Sequence, residues 1–566
     1  MRYSCTIPGV LTDAETVVSR LLSSRGATSA TAQRQFLSPD YERDTHDPFL
    51  FTAMEAAVER IRRARDTGET IGIYGDYDAD GVCGATLLAE VLSDLGIAHE
   101  VYIPHKEHDG HGLSLRAVER FAQRGVGLIV TVDCGITNCA EVAAARSRGM
   151  ETIIIDHHHV PKVLPDAVAI INPQLPDSGY PFAQLCGTGT AFKVAQALYT
   201  RLAPERVEQT KWLLDLVAIA TVADCMPLIE ENRVLVQYGL VVLRKTRRPG
   251  LHALFDVARI SHDTAIDAEV IAFRIAPRIN AAGRMDHAQQ AYELLSCRTA
   301  ETATKHAAAI EELNTQRRSV SATITADARS AVHAMKEIPA GIVVGSSTYF
   351  HGVVGLAAAR LAEEFRRPVG VFHHMGETSL GSFRSRDGVH IVDILREVQR
   401  RVDEAVFVKY GGHAAAAGAT IRTEHFEQFA ETFAQVAAEY QPTEDDAVIS
   451  ADACIALSAV TPELVKALRQ MAPFGIGNPE PVFIVPDIRL QSFSLVGNKK
   501  SHARCVFSDG RQTVAGIGFS LADTISSLRP EDTVTLSARV RENIYHNTRS
   551  IQLVVEDIAN DATLKS

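Results

Sequence analysis

The amino-acid sequence predicts an α/β protein. A parallel-sheet domain and a smaller α/β domain are joined by a long helix, and a C-terminal β-domain follows. Three observations support this fold class. Short β-branched apolar runs alternate with helical stretches in the first half, a long segment without glycine or proline follows, and residues near the C-terminus alternate between apolar and polar. The chain has 566 residues, which is enough for three or four domains.

The parallel sheet is predicted from three apolar runs, at residues 70–75, 127–132 and 151–155. The first two precede helical patterns, and strands that alternate with helices form parallel sheets covered on both faces. We expect this domain to occupy residues 46–245, after an N-terminal segment of residues 1–45.

The second half of the chain begins with a connector, expected at residues 246–337. Within it, residues 301–336 contain no glycine or proline and repeat apolar residues at spacings of three, four or seven. This pattern predicts one long amphipathic helix between two lobes. A second α/β pattern starts with the apolar run at residues 341–345, and we assign it to a domain of residues 338–446.

A small β-domain is expected at residues 447–566, after the polar stretch QPTEDDA at residues 441–447. Apolar residues alternate with polar ones at residues 534–540 and 551–555, around a polar turn near His546 and Asn547. Such alternation predicts half-buried strands joined in a hairpin.

Composition excludes several classes of protein. Apolar residues make up 46% and charged residues 22%, which is ordinary globular usage and excludes a wholly disordered chain. No apolar run reaches the length of about 18 residues that a membrane span requires, and the N-terminus lacks a signal-peptide core, so we expect a cytoplasmic protein. Nine cysteines without a CxxC pair argue against a disulfide framework and a structural zinc. The net charge of −12 only weakly disfavours nucleic acid, because binding depends on where the basic residues lie.

The most informative motif is GDYDADG at residues 75–81, which places Asp76, Asp78 and Asp80 within five residues. Carboxylates this close repel one another unless a cation neutralises them, and hard divalent cations prefer oxygen ligands. A calcium EF-hand loop is the alternative. It requires Glu at its twelfth position, where this chain has Leu87, and a preceding helix, where the pattern predicts a strand.

Further acids follow other apolar runs. Asp133 follows the run at residues 127–132, Asp156 precedes His157 and His158, and Asp224 ends LLDLVAIATVA. Ligands of open parallel sheets bind beyond the carboxyl ends of the strands, so we expect these side chains to converge. Each acid alone could be a helix cap. Together they provide ligands for two adjacent divalent metals, and mixed Asp/His ligation favours Mn²⁺ or Mg²⁺.

Four motifs, GDYDADG, VTVDCG, IIDHH and ADCMPL, resemble those of the DHH phosphoesterase superfamily. Nearly the whole chain resembles the single-stranded-DNA exonucleases of that superfamily. The segments that extend the resemblance are FLSPDYERDTHDPF, YIPHKEHDGHGLS, APRINAAGRM, GGHAAAAG and PFGIGNPEPVF. The resemblance implies a DHH domain, a DHHA1 domain and a C-terminal domain like an OB-fold.

The resemblance also implies roles for the residues of these motifs. The metal ligands would be Asp78, Asp80, Asp133, His157 and Asp224, with Asp76 in or beside the ligand set. Asp156 would orient the ring of His157, and His158 would lie against the scissile phosphate, unless it is merely structural. Arg284 and Asn280 would stabilise developing charge on the phosphate; helix capping around Gly283 is the alternative.

A pocket for a 5′-terminal phosphate is implied at SFRS, with Ser382 and Arg384 as donors. In GGHAAAAG, Gly412 would let the backbone approach DNA and His413 would reach across the cleft, although tight packing explains the small residues equally well.

Two segments differ from the usual family pattern. Relatives usually have Arg where this chain has Lys106, and Tyr where it has His111. Lys keeps the charge but loses the planar fork of Arg. Relatives usually have His where this chain has Phe350, and whether His351 replaces it stays open.

The C-terminal β-domain carries two basic groups. One comprises Lys499, Lys500 and Arg504, and the other lies around the final hairpin, at Arg539, Arg541, Tyr545 and Arg549. Domains like OB-folds bind single strands through a charged track with aromatic stacking, which we expect here. Charges on a strand edge that merely prevent sheet pairing are the alternative.

These inferences predict a metal-dependent 5′-to-3′ exonuclease that acts on single-stranded DNA, releases 5′-mononucleotides and serves DNA repair and recombination. Single-strand-binding protein and a helicase are implied partners. One alternative is a DHH enzyme acting on oligoribonucleotides, cyclic dinucleotides or polyphosphate, for which the long connector and β-domain would be unnecessary. The other is a non-catalytic replication scaffold, against which the complete ligand set argues.

Overall fold

The computed structural model describes residues 2–261, 264–385, 388–403, 405–440, 448–545 and 548–560. Within them, the chain forms a five-stranded parallel sheet, a five-stranded mixed sheet and a seven-stranded mixed sheet. The α/β class, the long helix and the C-terminal β-domain are confirmed. The predicted polar stretch at residues 441–447 and the turn at His546 and Asn547 lie outside the described residues. Among the described helices, none combines the length and apolar character needed to cross a membrane.

The N-terminal segment contains one strand and three helices before a short 3₁₀ turn at Pro48–Leu50: β1 (Arg2–Leu11), α1 (Ala14–Ser24), α2 (Ala30–Leu37) and α3 (Tyr41–Asp44).

The parallel sheet and its helices follow: α4 (Met54–Thr67), β2 (Thr70–Gly75), α5 (Ala79–Asp94), β3 (His99–Tyr102), α6 (Leu115–Gln123), β4 (Val126–Val132), α7 (Cys139–Ser147), β5 (Glu151–Ile155), β6 (Ala169–Ile171), α8 (Gly187–Leu202), α9 (Leu214–Ala223), α10 (Glu230–Arg244) and α11 (Pro249–Val257). A 3₁₀ segment, Pro204–Leu213, precedes α9. The strand order is β3-β2-β4-β5-β6, and all neighbours are parallel. The carboxyl ends of β2, β4 and β5 therefore lie side by side.

The apolar run that ends at Asp224 forms helix α9, so our expectation that Asp224 follows a strand was wrong. Eight of the ten residues of α9 are buried. An apolar run of this length shows no periodicity, and a helix buried on all sides cannot be distinguished from a buried strand by its pattern.

The connector contains a three-residue turn, α12 (Ala268–Val270), then a π-helical turn at Ile271–Ile275, α13 (Ala276–Met285), α14 (Gln289–Ser296) and the 34-residue α15 (Ala300–His333). Thr299 caps α15 by accepting a hydrogen bond from the backbone N–H of Thr302. Helix α15 packs against α11 and α13 and against the next helix of the chain.

The second α/β unit contains β7 (Ile342–Ser346), α16 (His351–Phe365), β8 (Val369–Met375), β9 (Thr378–Arg384), α17 (Ile391–Arg401), β10 (Phe407–Gly412), β11 (Ala416–Arg422) and α18 (Phe426–Glu439). Its strand order is β10-β11-β9-β8-β7. Strand β9 is central and antiparallel to both neighbours, and α16 packs on it.

The C-terminal β-domain contains β12 (Val448–Ile455), α19 (Pro462–Met471), β13 (Phe483–Val496), β14 (His502–Ser508), β15 (Thr513–Gly518), α20 (Ala522–Ser526), β16 (Thr533–Tyr545) and β17 (Thr548–Asn560). A pairing between β13 and β16 closes the five strands β13-β14-β15-β17-β16 into a barrel. Closure removes the open sheet edges.

Strand β1 extends the sheet of the C-terminal domain. It pairs in parallel with β12, with Arg2 opposite Val448 and Leu11 opposite Ile455. Val17 and Leu21 of α1 are buried in the same apolar core as residues of the barrel. The two ends of the chain therefore share one core.

Candidate active site

Carboxylates and imidazoles lie close together at the carboxyl ends of β2, β4 and β5, where the sequence predicted that they would converge. The ring of His157 is the centre of this group. Its Nε2 lies 3.1 Å from Asp133 Oδ1, 3.5 Å from Asp224 Oδ2 and 3.8 Å from Asp80 Oδ2. Although α9 is a helix, its C-terminus brings Asp224 to the same place.

The loop after β2 is fixed by its own backbone. Asp78 is the N-cap of α5, and its Oδ1 accepts hydrogen bonds from the backbone N–H groups of Asp80 and Gly81. A Cβ on Gly81 would lie 2.3 Å from the backbone nitrogen of Asp76, so only glycine permits this close turn. The preceding element is a strand, and the EF-hand alternative is thereby excluded.

Asp80 is held by the start of helix α8. Its two carboxylate oxygens accept hydrogen bonds of 2.7 Å from the backbone N–H groups of Gly187 and Thr188. A Cβ on Gly187 would lie 2.6 Å from Asp133 Cβ, so this glycine also allows Asp133 to approach. Our sequence reasoning missed Gly187 and Thr188. The run of small residues at 186–190 was the available signal.

Asp156 differs from the expected role. Its Oδ1 lies 2.8 Å from Nδ1 of His158, so it orients the ring of His158 and not that of His157. The hydrogen bond that Asp156 accepts from His157 comes from the backbone N–H, at 2.7 Å. The chain turns directly after β5, which carries His158 back over the carboxylate while the ring of His157 faces Asp133.

The electrostatics of the centre favour a bound cation. Burial and the neighbouring carboxylates raise the pKa of Asp78 to about 6 and that of Asp224 to about 8. They raise the pKa of Asp133 well above its usual range. At this centre, three buried atoms have no hydrogen-bond partner among the described residues, namely Asp76 Oδ1, Asp133 Oδ1 and His157 Nε2. Buried polar atoms without partners are rare in folded proteins.

Ligand atoms fall into three overlapping groups, and the atoms of each group lie within 4.8 Å of one another: Asp76, Asp78 and Asp133; Asp80, His157 and Asp224; Asp133, His157 and His158. The first two groups share no residue and adjoin each other. The residues therefore fit two neighbouring divalent cations with oxygen and imidazole ligands.

His111 joins the centre from the loop before α6. Its Nδ1 lies 3.3 Å from Asp76 Oδ2, and this contact raises the pKa of the ring. The sequence identified His111 only as a departure from the family pattern.

Helix α13 borders the centre. Asn280 Oδ1 accepts a 2.8 Å hydrogen bond from the backbone N–H of Ala79, so Asn280 holds the start of α5 through its oxygen. Arg284 lies near Asp78. Burial lowers the pKa of Arg284, and the negative charge of Asp78 partly offsets this effect.

Lys106 lies close to Arg284. Its Nζ is 5.6 Å from the centre of the Tyr77 ring, and burial and the charge of Arg284 lower its pKa. A small cavity of about 210 Å³ is lined by Lys106, Arg284, Phe350 and His351. Nδ1 of His351 lies 3.6 Å from Glu107 Oε1, so His351 faces this cavity and not the carboxylate centre.

The residues of the expected 5′-phosphate pocket lie on the sheet of the second α/β unit. On β9, Nη1 of Arg384 lies 3.3 Å from Ser382 Oγ. Gly412 ends β10 opposite Ala417, and His413 is exposed directly after it. His413 is within electrostatic range of His157, so the second α/β unit lies opposite the carboxylate centre of the parallel-sheet domain.

The basic residues of the C-terminal domain separate into two kinds. Lys499, Lys500 and Arg504 are exposed and form no ion pair within the described residues. By contrast, Arg539 and Arg541 pair with acidic residues, including Glu480, and Arg549 lies 3.5 Å from Glu542. The side chain of Tyr545 lies outside the described residues.

A cleft of about 1370 Å³ lies between the parallel-sheet domain and the C-terminal domain. Val222, Cys225 and Met226, which flank Asp224, line this cleft together with Arg469 of the C-terminal domain. Phe273, on the π-helical turn, lines the cleft with 75% of its surface exposed.

The fold and the acidic centre define a phosphoesterase of the DHH class. The family model described as "DHH family, N-terminal domain" matches residues 70–221, the DHHA1 domain matches residues 340–439, and the RecJ OB domain matches residues 451–557.

Two relatives, both called single-stranded-DNA-specific exonuclease RecJ, extend this match. The chain is 33% identical to that of Bacillus subtilis over 96% of its own length and 68% of the relative. It is 32% identical to that of Salmonella typhimurium over 96% of both chains. The chain therefore belongs to the RecJ family.

Solved structures of RecJ from Thermus thermophilus agree. The complex with Mn²⁺ matches with a TM-score of 0.81 and 27% identity over 99% of this chain and 79% of that chain. The complex with Mg²⁺ matches with a TM-score of 0.76 and 25% identity over 99% of this chain and 78% of that chain.

Proposed function

We propose that this protein is a metal-dependent exonuclease that degrades single-stranded DNA from the 5′ end and releases 5′-mononucleotides. The observation that carries the proposal is the pair of adjoining ligand groups with buried oxygen and nitrogen atoms that lack partners. The names of the RecJ relatives and the Mn²⁺ and Mg²⁺ complexes of the Thermus protein support the same chemistry.

Two divalent cations, Mn²⁺ or Mg²⁺, would be held by the six residues of the centre: Asp76, Asp78, Asp80, Asp133, His157 and Asp224. Bound there, they would lower the pKa of a water and neutralise the charge that develops on the phosphate. The residues around them supply the rest of the site.

His158 is the general acid or hydrogen-bond donor in this proposal. Nδ1 of His158 lies 2.8 Å from Oδ1 of Asp156, and in the metal-free protein this contact outweighs burial and raises the pKa of His158 to about 9, which favours the charged ring. The opposite nitrogen of the ring is then a donor for a phosphate oxygen. Asp156 thus acts through His158.

Arg284 and Lys106 contribute positive charge on the side facing the connector. Because the Oδ1 of Asn280 accepts from Ala79, its side-chain NH₂ group remains as the donor. His351 lines the same small cavity as Lys106, apart from the carboxylate centre. Burial and the charge of Lys106 lower the pKa of His351, so its ring would contribute a neutral imidazole and not a further charge.

The 5′ polarity is assigned to Ser382 and Arg384, which would hold the terminal phosphate while the next phosphodiester lies at the metals. Gly412 and His413 would line the opposite wall. In the C-terminal domain, the exposed side chains of Lys499, Lys500 and Arg504 would follow the strand. DNA repair and recombination, a cytoplasmic location, and contacts with single-strand-binding protein and a helicase remain predictions.

One experiment tests the proposal against its alternatives. The purified chain is incubated with Mn²⁺ and a 5′-phosphorylated single-stranded DNA, an RNA oligomer or a cyclic dinucleotide, and product release is followed. We expect mononucleotides from DNA at a rate at least tenfold above the other substrates. Faster cleavage of the cyclic dinucleotide or RNA would instead indicate another DHH phosphodiesterase, and no turnover of any substrate would indicate a scaffold.

A further inference from the structure

The segment after β6 has no role in the proposed chemistry, yet its side chains hold the turn that carries His157 and His158. Asn172 directly follows this three-residue strand at the edge of the parallel sheet. Its Nδ2 donates a 3.0 Å hydrogen bond to the backbone oxygen of His158. The side-chain amide of Gln174 donates to the backbone oxygen of His157. Two neighbouring side chains therefore hold two successive carbonyl groups of the turn.

Asn172 is itself held in one conformation. Its side chain is buried, with 0% of its surface exposed, and its Oδ1 accepts a 2.8 Å hydrogen bond from the backbone N–H of Gln174. Pro173 restricts the backbone of the residue before it to extended conformations. Breaking a hydrogen bond of a buried amide leaves a polar group unpaired, which is unfavourable. Asn172 is therefore a rigid anchor for the carbonyl group that it holds.

These contacts fix the backbone of His158 on both sides of its Cα. Because peptide groups are planar, φ and ψ of His158 describe how the plane before its Cα lies relative to the plane after it. The first plane is held by Asp156, whose Oδ1 accepts a 3.0 Å hydrogen bond from the N–H of His158, and by Gln174. The second plane is held by Asn172. The direction of the Cα–Cβ bond of His158 follows from these two planes.

The ring of His158 depends on this backbone for its direction. Its side chain is 32% exposed, and Nδ1 lies 2.8 Å from Oδ1 of Asp156. One such contact leaves the ring free to tilt if the Cα–Cβ bond moves. Moving a reacting group by about 1 Å can lower a rate about a hundredfold. Release of the second plane would therefore affect the chemistry while the rest of the centre stays in place.

We propose that Asn172 is a positioning residue, which holds the backbone of His158 so that the ring nitrogen opposite Asp156 points at the scissile phosphate. This inference rests on the proposed function and deepens it, because it names the side chain that aims the acid or hydrogen-bond donor. Gln174 holds the carbonyl group of His157, which belongs to the metal centre. The two side chains thus act on different functional residues of one turn.

The test is a double-mutant cycle on 5′-phosphorylated single-stranded DNA with Mn²⁺. We expect Asn172→Ala to lower kcat about a hundredfold, with KM within about threefold of the parent. In a His158→Gln background the same substitution should lower kcat by less than about threefold, because the group that it positions is already absent. Asn478→Ala is the matched control. Asn478 is 1% exposed and donates to two backbone oxygens in the loop before β13, so its loss should change kcat equally little in both backgrounds.

Binding of Mn²⁺ gives a second measurement, which does not require turnover. Calorimetric titration should show the parental affinity for Mn²⁺ in Asn172→Ala, because Gln174 still holds the backbone of the ligand His157. A loss of Mn²⁺ affinity that parallels the loss of kcat would overturn the inference, since Asn172 would then support the metal ligands. Equal losses of kcat in the parent and His158→Gln backgrounds would overturn it as well.

Asn172→Ala might melt well below the parent only because a buried amide is lost, so Asn172→Asp is measured beside it. This variant keeps the shape of the side chain and its acceptor but replaces the donor, and it is judged by the same criteria. A parent that hydrolyses no strand would contradict the proposed function and this inference with it. An active parent whose kcat survives both substitutions of Asn172 would contradict the inference alone.

Discussion

Replacing Asp133 with asparagine should abolish hydrolysis and, in metal-free buffer, make the protein more stable. The ligand atoms of Asp76, Asp78 and Asp133 lie within 4.8 Å of one another. At an effective dielectric constant of about 20, two unit charges at that separation repel by about 3.5 kcal/mol. A repelled carboxylate can instead take up a proton, which costs about 4 kcal/mol at pH 7. Charge repulsion at one carboxylate therefore cannot destabilise the folded protein by more than about that amount.

We therefore expect Asp133→Asn to stabilise the metal-free protein by about 2–4 kcal/mol, or roughly 5–10 °C in Tm. The shape of the side chain is kept, so the change isolates the charge. In the parent, the raised pKa values of Asp78 and Asp224 mean that the folded state binds more protons than the unfolded chain. Stability of the metal-free parent should therefore fall as the pH rises from about 4 to about 8, and the asparagine variant should show a shallower fall.

The assay is thermal melting in EDTA and across a series of Mn²⁺ concentrations, with nuclease activity measured in parallel. Metal should raise the Tm of the parent, because ligands that bind only the folded state stabilise it, and should raise that of Asp133→Asn much less. Asp256→Asn, at an exposed site on α11, controls for loss of a negative charge and should melt like the parent. A variant that melts below the parent in EDTA, and still gains the parental increase with Mn²⁺, would refute the reasoning.

Three further outcomes are expected. Arg384→Ala should remove the preference for phosphorylated over hydroxyl 5′ ends in a competition assay, and an unchanged ratio would place the terminal pocket elsewhere. The combined substitutions Lys499→Ala, Lys500→Ala and Arg504→Ala should reduce the slope of log K against log salt concentration for long-strand binding by about 2. Each phosphate contact on a single strand contributes about 0.7 to that slope. Gly187→Ala should weaken Mn²⁺ binding at least tenfold by calorimetry, because the added Cβ would lie 2.6 Å from that of Asp133. Gly189→Ala, in the same helix, would place its Cβ no nearer than 3.6 Å to any other group and tests whether loss of a glycine alone weakens binding.

The parallel sheet and most of the centre could be predicted because their signals are local. The runs that form β2, β4 and β5 carry their acids directly at or after their ends, and parallel strands bring those ends together. Helix α9 was not predictable in type, since ten nearly uniform apolar residues carry no period. The ring contact of Asp156 depends on how the backbone turns after β5, which residue spacing does not specify. The hydrogen bond from the backbone N–H of Gly187 to the carboxylate of Asp80 joins residues 107 positions apart, and only the fold brings them together.

The pairing of β1 with β12 changes how the C-terminal domain can be tested. Residues 1–45 resemble a separate leading segment in the sequence, because no local pattern reveals a partner strand more than 400 residues away. In the structure, the apolar side chains of β1 and α1 complete the core of the barrel domain. Removing the chain from Val448 onward would expose that surface, and the resulting loss of activity would report misfolding as readily as loss of a DNA track. Substitutions of the exposed lysines leave this core intact. They separate a binding role from a bracing role, because a bracing domain would tolerate them without any change in the salt dependence.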